Sequence, residues 1–250
     1  LSRRKEVTLS QPTLSHNLSR CFSTKDIPWH YLGNVWPATC DGRILRTLDD
    51  GSVRSALVRL ASGYTRPASD QLTATVQGFV ISGVITLGEV TLSQDGFFAM
   101  TPGNAIPALS CSVDSELLLI FDAEGKSVLN AESVFLESVY DKDPIIPVIN
   151  GEAIPGFERR VLWEDPDSGA DTRFLKVPAG FEGKGPNWHP VHEEIFCLEG
   201  DIGPDDSRLM VPGTYLHNLA YGVHGYHEHS NGGATVLEWH DGPWAINFVT

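Results

Sequence analysis

The 250-residue sequence has few cysteines, little positive charge and no long apolar run. Its four cysteines form no C-x-x-C pair, and a chain of this length does not depend on a disulfide framework. Cys197 lies in the apolar run Ile-Phe-Cys-Leu, which is typical of a small buried thiol. We therefore expect a reducing environment and a cytoplasmic protein.

Positive charge is scarce, because 18 Lys and Arg stand against 32 Asp and Glu, for a net charge of −14. Nucleic acids and anionic membrane surfaces attract clustered Lys and Arg, so neither is an expected partner. No apolar run reaches the roughly 18 residues that a membrane helix needs. Residues 1–5 are basic, but no apolar stretch follows them, so we predict no secretory signal. A small molecule is the partner that we expect.

A repeat with a spacing of 117 residues runs through the chain. It is clearest in three glycine pairs: Gly63 and Gly180, Gly83 and Gly200, Gly96 and Gly213. Lys25-Asp26 and Lys142-Asp143 share the same spacing, so each copy includes a lead-in segment. Glycine often marks a positive φ or a close approach of two backbones. The shared register therefore predicts one fold that is built twice.

The strand signals are short runs of Val, Ile, Leu, Phe and Thr between turn residues such as Pro-Gly and Asn-Gly-Gly. The clearest runs are residues 55–60, 78–85 and 116–121, and they return at 172–177, 194–202 and 234–239. Many short strands at spacings of about 8–12 residues are typical of a β-sandwich or barrel. We therefore predict an all-β fold.

The repeat divides the chain into four segments. We predict an N-terminal tail or exchanged arm over 1–24, a first copy over 25–129, a linker with a short helix over 130–147, and a second copy over 148–250. The helix is expected at 130–140, where Val134, Phe135 and Val139 form a ragged apolar face.

The two copies differ in chemistry. Where the first copy has Leu72, Val76 and Pro107, the second has His189, Glu193 and His224. Because the fold tolerates apolar residues at these positions, the polar groups of the second copy are not needed for folding, and burying them costs free energy unless they bind something. The second copy is therefore the expected site.

Alternation along a strand places Asn187, His189 and Glu193 on one face, and His192 and Glu194 on the other. With His224, this face offers two imidazoles and one carboxylate. This is the ligand set of a non-haem Fe(II) site, and Zn(II) can use the same set with water.

Each ligand has a structural alternative. His189 would also fit as a hydrogen-bonded barrel histidine, Glu193 as a solvated strand residue, and His224 as a turn residue before Gly225.

The pattern of His189, Glu193 and Gly200 resembles most of the first cupin motif, G-x5-H-x-H-x3,4-E-x6-G. Pro212-Gly213 followed by His224-Gly225 resembles the second motif. The stretch 193–200 is similar to cupins related to acetylacetone dioxygenase and to the cupin half of zinc-dependent anti-sigma sensors. The resemblance covers both copies, 25–125 and 142–250. It implies a bicupin, that is, two tandem jelly-roll β-barrels, which would also be compatible with a homodimer.

The resemblance implies a metal site with His189, Glu193 and His224 as ligands, and with Asn187 or His192 as a fourth. Asn187 stands where the family has its first histidine, which weakens the site for softer metals. Fe(II) is the favoured ion, with Zn, Mn and Ni as alternatives. The anti-sigma relatives carry a zinc-binding domain before the cupin, whose ligand spacing this N-terminus lacks, so we expect no sigma-factor role.

The activity implied is that of a metal-dependent enzyme acting on a small organic molecule, in the first place an oxygenase of enol, diketone or phenolic compounds. Glu193, Glu194 and His192 are the expected catalytic residues, with Glu194 or His192 as the proton shuttle. The alternatives are a non-redox isomerase, cyclase or dehydratase that uses Glu and His as acid and base, and a non-catalytic ligand or metal sensor.

Overall fold

The computed structural model describes residues 13–16, 19–33, 35–37, 39–122, 131–149 and 151–249. Within these ranges the regular elements are β-strands and two single-turn 3₁₀ helices, Thr24–Asp26 and Val139–Asp141. No helix in the described part of the chain is long and apolar enough to cross a membrane. The prediction of an all-β protein is confirmed.

Fourteen strands precede the second barrel: β1 (Arg20–Ser23), β2 (His30–Leu32), β3 (Cys40–Thr47), β4 (Val53–Leu60), β5 (Thr65–Arg66), β6 (Ser69–Gln71), β7 (Val76–Ser82), β8 (Val84–Leu87), β9 (Val90–Ser93), β10 (Phe97–Met100), β11 (Ala105–Ile106), β12 (Leu109–Cys111), β13 (Ser115–Phe121) and β14 (Val134–Leu136). The remaining strands are β15 (Val148–Ile149), β16 (Glu152–Ala153), β17 (Glu158–Glu164), β18 (Asp171–Val177), β19 (Phe181–Glu182), β20 (Asn187–Trp188), β21 (Glu193–Gly200), β22 (Ile202–Asp205), β23 (Arg208–Met210), β24 (Thr214–Asn218), β25 (His229–Ser230), β26 (Ala234–His240) and β27 (Asn247–Phe248).

Each copy is a barrel made of one large and one small antiparallel sheet. In the first barrel the orders are β14-β10-β7-β13-β4-β3-β2 and β5-β12-β8-β9. In the second barrel they are β1-β24-β21-β26-β18-β17 and β19-β25-β22-β23. The sequence repeat relates strands that occupy equivalent positions in the two barrels. Examples are β7 with β21 and β4 with β18.

The lead-in strands are exchanged between the two barrels. β1, which precedes the first barrel, pairs with β24 of the second. β14, which precedes the second barrel, pairs with β10 of the first. Each of these strands is followed by a 3₁₀ helix that is capped by a serine, Ser23 or Ser138. The two capping serines are 115 residues apart, so the lead-in segments align two residues away from the register that Lys25-Asp26 and Lys142-Asp143 predicted.

The helix expected at 130–140 is replaced by β14 and the short 3₁₀ turn. Residues 123–130 lie outside the described part of the chain. The apolar residues Val134, Phe135 and Leu136 pair as an edge strand with Ala99, Phe98 and Phe97. β-branched and aromatic residues pack well on a half-buried sheet edge, and this tertiary pairing overrides the weak helical pattern.

Two of the three repeat glycine pairs adopt a positive φ in both copies, as Gly83 (88°) and Gly200 (71°) illustrate. A Cβ on Gly200 would lie 1.9 Å from the carbonyl oxygen of Gly233, so the position admits no side chain. The third pair differs, because Gly213 has φ 86° while in the first copy Asp95, not Gly96, takes the positive φ.

The large sheets of the two barrels pack against each other through one shared apolar cluster. Phe79 of the first barrel stacks on Phe174 of the second, with ring centroids 6.4 Å apart. Trp239 and Tyr215 belong to the same cluster and are almost fully buried. Phe174, Tyr215 and Trp239 therefore belong to the core between the barrels, and the far side of the second large sheet lines a separate cavity.

Candidate metal centre

The second barrel brings the three predicted ligands together. His189 lies in the short segment between β20 and β21, Glu193 opens β21, and an antiparallel bridge to Asn187 holds His224 beside β20. His189, Glu193 and His224 are 3%, 4% and 5% exposed. Their ligand atoms all lie within 4.8 Å of one another, which is the arrangement that a shared metal ion needs.

The donor atoms face one another at short range. The Nε2 atoms of His189 and His224 are 3.1 Å apart. His189 Nε2 lies 3.4 Å from Glu193 Oε1, and His224 Nε2 lies 3.6 Å from Glu193 Oε2. Neighbouring ligands on a metal at about 2.1 Å are separated by about 3 Å when they meet at right angles. The spacing therefore fits three ligands on one face of a single ion.

The hydrogen bonds of the two Nδ1 atoms orient the imidazole rings so that their Nε2 atoms point at each other. His189 Nδ1 lies 2.9 Å from the carbonyl oxygen of Ala245, and His224 Nδ1 lies 2.9 Å from that of Gly222. A carbonyl oxygen only accepts, so each Nδ1 carries a proton, which leaves Nε2 as the nitrogen of each ring that can bind a cation. Two imidazole nitrogens and a carboxylate that converge in this way form a candidate cation site.

Glu193 is held in place by two donors. Trp244 Nε1 donates to Oε1 at 3.0 Å, and Asn218 Nδ2 donates to Oε2 at 2.6 Å. Burial alone would raise the pKa of Glu193, but His189, the hydrogen bond from His240 and the charge of His224 outweigh it and hold the pKa well below its usual range. The carboxylate is therefore ionised and fixed in orientation, as a metal ligand requires.

A second acidic group, Glu193 with Glu238 and His240, also lies close enough to hold an ion. His240 Nδ1 bonds to Asp171 Oδ1 at 2.6 Å, and its Nε2 lies 3.2 Å from Glu238 Oε1. Burial lowers the pKa of His240, but the charge of Glu238 and the bond to Asp171 reverse this and raise it well above its usual value. Both ring nitrogens are therefore protonated, and His240 acts as a cationic support for Glu193, not as a ligand.

Asn187, the predicted fourth ligand, lines the same cavity as His189 and Glu193. Its Nδ2 donates to the carbonyl oxygen of Gly185 at 3.4 Å, while its Oδ1 is buried with no hydrogen-bond partner among the described residues. A buried acceptor without a donor is costly. A cation or a substrate donor at the centre would satisfy it, so Asn187 stays a candidate ligand.

Glu194 and His192 face away from this centre, on the side of β21 that the alternation rule assigned to them. Glu194 accepts hydrogen bonds from Arg46 of the first barrel at 2.8 Å and from Tyr215 at 2.6 Å. His192 Nδ1 lies 3.0 Å from His217 Nε2. Neither residue lines the cavity. The structure therefore does not bring the two predicted proton shuttles to the ligands.

Glu228 is the group that sequence reasoning missed. It lies in the loop before β25 and lines the cavity beside His189 and Glu193. Its carboxylate sits against Gly225, where an added Cβ would be 3.1 Å from Oε1. Burial raises the pKa of Glu228 to about 7, and the charge of Glu193 adds to this against the opposing effect of His224. The sequence signal for it was weak: a carboxylate four residues after the candidate ligand His224.

Of the two histidines that flank Glu228, His229 begins β25 and is partly buried, while His227 is exposed. His227 is 46% exposed at its side chain and pairs with Glu182 and Asp206 at the surface.

The cavity next to the ligands has a volume of about 150 Å³. Its walls are mainly apolar, and they include Phe157, Leu175, Ile195, Val236, Trp244 and Ile246. At the equivalent positions of the first barrel, Val76 is buried in the apolar core and Leu72 packs against it. Among the residues that the structure describes, the second barrel alone combines an apolar chamber with a candidate cation site.

No protein-family model matches the sequence, and no curated protein matches it significantly. Solved structures do match. A "putative dioxygenase" from Nostoc punctiforme PCC 73102 aligns with 93% of this chain and 87% of its own, with a TM-score of 0.75 and 18% identity. Protein YlbA from E. coli aligns with 96% of this chain and 97% of its own, with a TM-score of 0.64 and 15% identity.

Oxalate decarboxylase from Bacillus subtilis, in a mutant form, aligns with 96% of this chain and 81% of its own, with a TM-score of 0.58 and 13% identity. That enzyme has Mn(II) centres. The narrower resemblance to acetylacetone-dioxygenase-like and anti-sigma cupins stays a prediction. At these identities the likeness concerns the fold, and together with the sheet orders it shows that this all-β chain has the bicupin fold of two tandem jelly-roll barrels.

Proposed function

We propose that the protein is a metal-dependent enzyme that acts on a small organic molecule inside the second barrel. One observation carries the proposal: the Nε2 atoms of His189 and His224 converge at 3.1 Å beside the ionised carboxylate of Glu193, with both Nδ1 protons directed at carbonyl oxygens. The residues fit a divalent ion that binds to two imidazoles and one carboxylate. Asn187 would add a fourth, weaker oxygen ligand.

We favour Fe(II) because two histidines and one carboxylate on one face suit a non-haem iron site that keeps open positions. The Mn(II) centres of the structurally similar oxalate decarboxylase support manganese as the first alternative, and Zn and Ni use overlapping ligands. The Nostoc neighbour, named for dioxygenase activity, supports oxygen chemistry. An oxygenase of enol, diketone or phenolic compounds is therefore our leading activity.

A bound metal ion would supply Lewis-acid charge and positions for a substrate oxygen and for O₂ or water. The protein supplies the rest. Trp244 and Asn218 hold Glu193 in one orientation. The apolar walls exclude water and strengthen each electrostatic contact. Glu228, with a pKa of about 7, is suited to carry a proton between substrate and solvent.

Glu228 also favours a second candidate function. A carboxyl group with a pKa near neutrality beside a metal centre serves an isomerase, cyclase or dehydratase as well as an oxygenase. In that case the metal would polarise the substrate, and Glu228 would move the proton without any consumption of O₂. A cytoplasmic location and a homodimer stay predictions.

The test begins with metal content, measured by elemental mass spectrometry on protein purified without chelator. We expect near-stoichiometric metal in the wild type and a loss of about tenfold or more in His224→Ala. His227→Ala is the matched control, because this nearby histidine is exposed and pairs with surface carboxylates. Unchanged metal in His224→Ala would contradict the assignment.

O₂ uptake then separates the candidate activities. Iron-loaded protein is supplied with 2,4-pentanedione, catechol or an enolised 2-oxo acid in an oxygen electrode. Consumption of O₂ that depends on both substrate and His224 supports the oxygenase. Turnover of a substrate without O₂ uptake would favour the acid–base enzyme, and tight retention of a compound without turnover would favour a sensor.

A further inference from the structure

The two large sheets also differ in charge at positions other than the three candidate ligands. In the first barrel Gly42 pairs with Val58, and Ala56 pairs with Leu119. In the second barrel the equivalent pairs are Arg159 with Leu175, and Arg173 with Glu238. A Cβ on Gly42 would lie 2.1 Å from Leu32 Cδ1, so Leu32 fills the space in the first barrel where the second carries a guanidinium. The fold therefore does not require these charges.

Most charged groups around the cavity have a partner of opposite charge. Arg173 Nε bonds to Asp171 Oδ2 at 2.6 Å, and its guanidinium lies 4.8 Å from the centre of the Trp244 ring. His240 pairs with Glu238 at 3.2 Å. The remaining carboxylate of the ligand cluster, Glu193, faces the two metal-binding imidazoles.

Apart from Glu228, whose carboxyl has a pKa of about 7, the exception is Arg159. Its side chain lines the cavity and makes no ion pair within 4 Å and no hydrogen bond to any described residue, and its Nε is buried without a partner. Burial, reinforced by the charge of Arg173, lowers its pKa, while Glu238 and Asp171 attract it only at longer range. A partly buried guanidinium that has no counter-ion at contact distance, in the same cavity wall as a second guanidinium, offers N–H donors that an anionic ligand would satisfy.

We propose that the second barrel binds a small organic carboxylate, with the carboxylate on the guanidinium of Arg159 and the apolar part of the molecule against the wall that Phe157, Leu175 and Trp244 form. A planar guanidinium presents paired N–H donors that match the two oxygens of a carboxylate. The 150 Å³ chamber suits a compact molecule. The carboxylate site extends the proposed function and rests on it only for the metal centre in the same cavity.

The test compares an acid with its neutral counterpart. Binding of 4-methylpentanoate and of 4-methylpentanamide is measured by titration calorimetry on the protein as purified and again after treatment with a chelator. Neither probe carries a second functional group with which to chelate a metal, and the metal-free measurement separates binding at Arg159 from binding to the metal. We expect the wild type to bind the carboxylate about tenfold or more tightly than the amide, both with and without metal. Arg159→Gln should abolish this preference, and Arg159→Lys should retain part of it because the charge remains.

Arg59→Gln is the matched control, because it removes the same charge from an exposed arginine of the first barrel and should leave the preference unchanged. Equal binding of acid and amide by the wild type, or an unchanged preference in Arg159→Gln, would overturn the inference. Inorganic phosphate that competes at equal or higher affinity would also overturn it in favour of a phosphate ligand.

The two proposals fail separately. Stoichiometric metal without a carboxylate preference would leave the metal enzyme standing and remove the anion site. A carboxylate preference that depends on Arg159, in protein that never binds metal, would support the anion site and remove the metal enzyme.

Discussion

Glu193 and Glu194 are consecutive residues whose carboxylates lie in opposite environments. Glu193 faces the cavity, where its oxygens are 3.4 and 3.6 Å from two imidazole nitrogens. Glu194 faces the first barrel, where Arg46 lies at 2.8 Å and Arg54 at 3.3 Å. Both are buried. Strand alternation assigns one carboxylate to the candidate metal centre and the other to the contact between the barrels.

This contrast predicts opposite effects for two matched variants. Glu194→Gln should lower the free energy of unfolding by about 3 kcal/mol, because it removes a counter-charge from the buried Arg54. It should leave the metal content near the wild-type value. Glu193→Gln should remove the metal with a smaller loss of stability. Urea unfolding and elemental analysis of both variants check this, and loss of metal from a folded Glu194→Gln protein would contradict it.

Trp244 is predicted to tune the affinity for the metal. Its Nε1 donates to Glu193 Oε1 at 3.0 Å, and its ring stacks on His189 with centroids 4.8 Å apart. Trp244→Phe keeps an aromatic ring but removes the donor, and we expect a loss of about 10–100-fold in metal affinity. Competition with a chromophoric chelator measures it. Trp188→Phe is the control, because Trp188 packs on Tyr221; an equal loss there would argue against the role of the hydrogen bond.

Glu228 is predicted to titrate near neutrality, because burial and the charge of Glu193 raise its pKa to about 7. In metal-free protein labelled with ¹³C at the glutamate side-chain carboxyl carbons, one resonance should titrate near pH 7. It should be missing in Glu228→Gln. If all glutamates of the wild type titrate below about pH 5, near their ordinary range, Glu228 cannot carry a proton at neutral pH in the way that we propose.

His217 is predicted to make stability depend on pH. Burial, assisted by the charge of Arg46, lowers the pKa of His217 to about 4. In the unfolded chain a histidine takes up a proton near pH 6.5, so between pH 6.5 and 4 the unfolded state binds more protons than the folded state. The free energy of unfolding should therefore fall as the pH falls through this window, by up to about 3 kcal/mol from this group.

Urea unfolding at several pH values tests this prediction. His217→Gln should flatten the fall between pH 6.5 and 4, since glutamine does not titrate. His30→Gln is the control, because this exposed first-barrel histidine should not change the slope. Identical slopes for the wild type and His217→Gln would rule out His217 as the source.

Much of the architecture is predictable because it depends on local patterns. Alternation along β21 separated Glu193 from Glu194, and glycine at positions such as Gly200 marked backbone that tolerates no side chain. The comparison of the two copies singled out His189 and His224, since their counterparts are apolar. The helix at 130–140 was wrong because a weak periodicity competed with an edge strand whose partner, β10, lies far away in the sequence.

The sequence by itself determined that the chain is a β-rich duplication, which copy carries the polar groups, and which three residues converge at the candidate metal centre. The pairing of distant strands decided what surrounds them. It placed Trp244 and His240 on Glu193, and it turned Glu194 toward the arginines of the other barrel. It also left Arg159 without a partner in the chamber. The charge state of a buried group depends on neighbours from several strands, and only the tertiary structure specifies those neighbours.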